Sequence, residues 1–167
     1  QNLHNTTEVD YLIVAHPPFR EQAQRLAQFH ETHSGLKTLV VTTEQIYNEF
    51  SGGIPSPVAI RNFVKMYYDR YQSTWANSGK YLLLFGRASF DYKARLTANT
   101  NFVPTFESAN TLDPIGSHLA DDFFGFLDDH ENINSTGVVN QLDIGVGRVP
   151  ARNVEEVASF VDKVIAY

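Results

Sequence analysis

The chain has 167 residues, 43% of them hydrophobic and 19% charged, a globular composition long enough for one domain with a sizeable core. Its net charge of −6 offers no basic face for nucleic acid, and no apolar run approaches the roughly 20 residues that cross a bilayer. There is no cysteine, which excludes disulfides, thiolate metal sites and a cysteine nucleophile within these residues.

Residues 1–9 are expected to be a linker, and no signal-peptide pattern opens at Gln1, so any targeting segment is expected to have been removed or to lie elsewhere. "DYLIVAHP" (Asp10–Pro17) predicts a buried strand over Tyr11–Ala15. The segment after it puts Phe19, Ala23, Leu26 and His30 on one helical face, with Gly35 as the stop. A β-branched run predicts a second strand over Lys37–Thr42, and "TEQIYNEF" one or two turns of helix before Ser51–Gly53. The next helix opens on Ser56 and Pro57 and carries the stripe Ile60, Phe63, Val64, Tyr67, Tyr71.

"KYLLLFG" predicts a third strand over Tyr81–Phe85. Beyond it lie an extended piece at "FVPTFES", a loop at "NTLDPIGSH", and the acidic, ring-rich "ADDFFGFLDDHEN" (Ala120–Asn132). A last strand is expected over Asp143–Val149. The closing helix has Asn153 and Glu156 as a capping box and Val157, Phe160, Val161, Val164 and Ile165 as its buried stripe. Continuously apolar strands alternating with helices indicate an α/β three-layer sandwich, its mainly parallel sheet of four or five strands covered on both faces. No repeat or internal linker interrupts it, so 1–167 is expected to be one domain.

In such folds sites lie at the carboxyl edge of the sheet, near which His16, Arg87 and Arg148 fall. Asp121, Asp122, Asp128 and Asp129 have the oxygen chemistry for calcium, but their spacing does not match an EF-hand loop. Nor does any one pair among them stand out as general acid and base. The favoured reading is structural, with Phe123, Phe124, Phe126 and Leu127 as anchors and the aspartates capping turns. His30 and His33 share a helical face without a third metal ligand, and His16 is better read as a turn residue before two prolines. "FGRAS" and "GVGR" lack the spacing of a phosphate loop. Their glycines are expected to allow close backbone packing, and Arg87 and Arg148 to pair internally with Asp91, Asp122 or Asp143. No catalytic, cofactor or metal residue is assigned.

Several stretches, "IYNEFSGGIPSPVAIRNF", "FVPTFES" and "DDFFGFLDD" above all, resemble the first subdomain of the gingipain-type cysteine peptidases, from about Asp10 to Tyr167. Within that family the likeness is closest to the PorU-type sortases of Bacteroidetes type IX secretion. The resemblance implies a caspase-like subdomain preceding the catalytic one, which would supply the histidine and cysteine that form an acyl-enzyme. It further implies a protein on the outer-membrane surface that removes C-terminal sorting signals from secreted cargo, this chain being its scaffold and a candidate cleft wall. Arg87 departs from the family, whose members often carry an acidic residue after the corresponding glycine. The alternative is a binding module that kept the fold without the catalytic half. A flavodoxin-like or receiver-like domain is disfavoured, because "AHPPF" follows the first strand where a phosphate loop or acidic cluster would stand. Half of a two-part unit should also expose an apolar patch near a sheet edge, with apolar surface at Phe160, Val164 and Ile165 of the closing helix, and weak homodimerisation is expected from it.

Overall fold

Four parallel strands form the centre of the computed structural model, which describes residues 2–75, 79–93, 95–108, 118–135 and 137–167. The first half of the chain forms β1 (Tyr11–Ala15), α1 (Arg20–His33), β2 (Thr38–Thr42), α2 (Thr43–Phe50), α3 (Pro57–Trp75) and β3 (Tyr81–Phe85). The second half adds the two-residue strands β4 (Phe106–Glu107) and β5 (Leu119–Ala120), then β6 (Gly145–Val149) and α4 (Val154–Ala166). The large sheet has the order β2-β1-β3-β6, all parallel, while β4 and β5 make a small antiparallel pair. This is the α/β sandwich expected from the sequence.

The central strands β1 and β3 are apolar at consecutive positions because both faces are covered. Leu12, Val14, Leu82 and Leu84 pack against Ile46 of α2 and Ile60, Phe63 and Tyr67 of α3. Ile13, Ala15, Leu83 and Phe85 face Ala23 and Leu26 of α1 and Val157 and Val161 of α4. β2 and β6 begin later than expected. The Lys37 N–H is drawn to the Asp10 carboxylate at 2.9 Å although its carbonyl accepts from the Tyr11 N–H of β1, and the Asp143 N–H turns to Gly125 O at 3.0 Å. At the amino edge, buried Lys80 is held by Asp10 at 2.6 Å and Glu8 at 3.2 Å.

Three expectations need correcting. Residues 2–9 do not behave as a linker: Leu3 and Val9 are buried in the core, and the Leu3 N–H donates to the Glu49 carboxylate. The capping box at α4 is half formed. The Asn153 side chain accepts from the Glu156 N–H at 2.8 Å, but the Glu156 carboxylate turns to the Arg152 N–H instead. A complete box stands at α2, where Thr42 and Gln45 cap each other. Lastly, the α4 stripe is buried only at Val157 and Val161, while Phe160, 36% exposed, and Ile165, 40% exposed, form the apolar surface expected of this helix.

The α4 exposure follows from β6. On the α1/α4 face this edge strand presents Gly145 and Gly147 beside Tyr81 and Leu83, so only Val149 at its end offers a helix a side chain to pack on. α4 leans on α1 instead, with Arg25 and Asp162 paired at 2.8 Å. A wedge of about 610 Å³ stays open there, lined by Tyr11, His30, Leu36, Tyr81, Leu83 and the two glycines among others.

Candidate functional site at the carboxyl edge

β1 leads to β2 on one side of the sheet and β3 leads towards β6 on the other, so the crevice for ligands in such folds lies between the ends of β1 and β3. Here it is filled by rings. His16 donates its backbone N–H to Phe85 O at 3.1 Å, and its imidazole stacks on Phe102 at 4.2 Å, with Phe19 edge-on at 5.1 Å. Phe102 and Val103 both donate to Arg87 O, at 2.9 and 3.1 Å, closing the loop over the strand end. Gly86 permits this approach: its φ is 153°, and a Cβ there would sit 3.0 Å from Val103 Cγ2 and 3.2 Å from Phe102 Cβ. Burial lowers the His16 pKa, with a smaller opposing pull from Glu44. His16 is thus the turn residue expected from its two prolines, packed as a neutral ring.

Next to the crevice, Arg148 of β6 forms a saturated hub. Its Nε and Nη2 donate to the two Asp121 oxygens, both at 2.7 Å. Nη1 donates to Gly86 O at 2.8 Å and Val103 O at 2.7 Å, and Nη2 also to Pro104 O at 3.4 Å. All five guanidinium N–H groups are therefore used. Thr105 adds its hydroxyl to Asp121 at 2.8 Å. The expected internal carboxylate exists, but it is Asp121 rather than Asp91, Asp122 or Asp143. Asp122 opens the short 3-10 turn Asp122–Phe124 and is exposed, whereas Asp121 precedes the turn beside β5 and points to the sheet. Asp91 is spent within its own loop, accepting from the N–H groups of Leu96 at 2.7 Å and Arg95 at 3.0 Å, which hold its pKa down. Arg87 has no such partner among the described residues.

The aspartates of residues 120–132 do not converge. Asp121 serves Arg148, Asp128 accepts from Tyr68 Oη at 2.8 Å, and Asp129 pairs with Lys65 at 2.9 Å. Arg61 and Lys65 also donate to the carbonyls of Phe126 and Leu127, at 2.8 and 2.7 Å. Arg61, Lys65 and Tyr68 recur at helical spacing along α3, so one helix face clamps the segment while Phe124 and Leu127 enter the core. This clamp was not foreseen, although the i, i+4, i+7 stripe is visible in the sequence. Asp143 accepts from the Leu127 N–H at 2.9 Å, and its pKa is raised by burial first and by Glu131 and Asp128 after it.

No group of three or more potential metal-ligating side chains occurs among the described residues. On α1, His33 stacks on Phe29 at 5.0 Å and His30 meets Tyr11 edge-on at 5.3 Å. No described helix is long and apolar enough to cross a membrane. Most of the expected "NTLDPIGSH" loop lies outside the described residues.

The family model for peptidase family C25 matches residues 4–167, nearly the whole chain. This chain belongs to peptidase family C25. The C25 fold likeness extends to a solved structure, the crystal structure of dimeric latent PorU from Porphyromonas gingivalis, at 37% identity and a TM-score of 0.88. That match covers 100% of this chain and 16% of the PorU chain, so the C25 segment described above corresponds to a small part of that protein. No curated protein matches the chain.

Proposed function

We propose that this C25 segment is the non-catalytic first subdomain of a cell-surface cysteine peptidase of the PorU type, acting as scaffold and as one wall of the substrate cleft. The observation that carries this reading is the full-length match to a small fraction of PorU, combined with a chain that has no cysteine. The carboxyl edge supports it: its crevice is packed with His16, Phe19 and Phe102, and its Arg148–Asp121 pair is saturated. Neither arrangement offers an activated nucleophile.

The reading places the catalytic histidine and cysteine in a second subdomain of the parent protein, with secreted proteins bearing C-terminal sorting signals as substrates. It also places the protein outside the cytoplasm, on the outer-membrane surface of a Bacteroidetes cell. Incubation of the purified chain with a peptide library checks the first element. No turnover is expected; turnover abolished by a substitution in this chain would overturn the proposal.

A further inference from the structure

At the carboxyl edge, the described residues supply no partner for the charge of Arg87. A pocket of about 280 Å³ opens there above the Thr105, Asp121 and Arg148 set, with Arg87, Ala88, Leu119 and Pro150 around it. Asp121 and Arg148 neutralise each other, every Arg148 N–H is engaged, and the Thr105 hydroxyl is given to Asp121. Arg87 is a partly buried residue, and its guanidinium makes no hydrogen bond and has no carboxylate within ion-pairing distance among the described residues.

Its backbone, by contrast, is pinned on both sides. The Arg87 N–H donates to Ala151 O at 3.1 Å, and Arg87 O accepts from Phe102 and Val103. A cation partly removed from water with nothing to compensate it is unfavourable, and a fixed backbone limits its escape into solvent. An anionic ligand would supply the missing partner at little ordering cost.

We propose that this pocket binds a carboxylate carried on a short apolar group, the Arg87 guanidinium taking both oxygens. The planar guanidinium fork matches a carboxylate in two parallel hydrogen bonds. One uncompensated positive charge suits a monoanion better than a phosphate dianion. Ala88, Pro150 and the half-exposed Leu119 give an aliphatic substituent a wall to lie on. The site is independent of the peptidase reading, since it needs only residues of this chain.

The test is a titration of the ¹⁵N-labelled chain followed by amide chemical shifts. N-acetylalanine, a carboxy-terminal mimic, is expected to move the Ala88 and Leu119 amides in a saturable way. N-acetylalaninamide, which lacks the charge, should bind at least tenfold more weakly. Arg87→Gln is expected to weaken N-acetylalanine binding at least tenfold and Arg87→Lys by less, while Arg152→Gln at an exposed site leaves it unchanged; the spectra themselves report that each variant is folded. N-acetylaspartate amide, a side-chain mimic, separates the two sources of carboxylate: tighter binding than N-acetylalanine would support the pocket and assign it to acidic side chains. Equal response to the acid and its amide, unchanged binding in Arg87→Gln, or tighter binding of inorganic phosphate would each overturn the proposal.

Discussion

Arg148 joins more of the molecule than any other charged side chain described. It ties β6 to Asp121 before the 3-10 turn, to Gly86 at the end of β3, and to Val103 and Pro104 in the returning loop. Its side chain is only 12% exposed, so removing the charge leaves three carbonyls and a carboxylate short of donors. Arg148→Met is expected to cost about 3 kcal/mol or more, read as a lower midpoint in urea. Adding Asp121→Leu should recover part of that loss. A single variant as stable as the parent would show that the hub is replaceable. His16 makes a pH-dependent contribution of definite sign. Burial lowers its folded-state pKa, so the unfolded chain takes up the proton first, near the ordinary value of about 6.5. Stability associated with His16 is present above that pH and is lost as the pH falls towards the lower folded value. His30 has the same sign, and Glu107 and Asp143, both raised by burial, have the opposite one. Comparing Tm between pH 7.5 and 5.5 in the parent and in His16→Phe isolates the contribution of His16. The variant keeps a ring against Phe102 and should show the shallower acid-side loss; identical slopes would remove His16 from the account.

At the scale of elements, the four strands and four helices were legible because each carries its own periodicity. β1 and β3 read as continuous apolar runs, and α3 shows its buried stripe Ile60, Phe63, Val64 and Tyr67 directly. Pairings across long separations were not legible. Choosing Asp121 over Asp122 for Arg148 depends on where a three-residue 3-10 turn begins, and no local pattern sets that. The clamp on the acidic segment was hidden for a related reason: its partners Arg61, Lys65 and Tyr68 lie some sixty residues earlier in the chain. The expected stripe of α4 is buried only in part, because helical periodicity says which residues share a face, whereas Gly145 and Gly147 of a separate strand limit how much of it is covered. The open wedge beside these glycines predicts weak association of the chain with itself, as each apolar side chain covered is worth about 1.5–3 kcal/mol. Sedimentation velocity over a hundredfold concentration range should show a rising mean mass in the parent and less rise in Tyr81→Lys, whose ring lines the wedge. A concentration-independent monomer in the parent would mean that the wedge drives no association.

At the scale of the whole molecule, the described residues form a sandwich with helices on both faces, whose carboxyl edge is packed shut at the crevice and neutralised at the Arg148–Asp121 hub. Its C25 membership and full-length likeness to part of PorU fit a body that supports chemistry performed elsewhere. If that account holds, this chain should stand in for the matching segment of a working relative. The direct measurement is peptide cleavage by a chimera of Porphyromonas gingivalis PorU, activated from its latent form, in which this chain replaces the segment it matches. Turnover that depends on the cysteine of the remaining PorU chain, with none from this chain alone, is the predicted result. Turnover that persists without that cysteine and is lost on substitution of this chain's own His16 or Asp121 would contradict it.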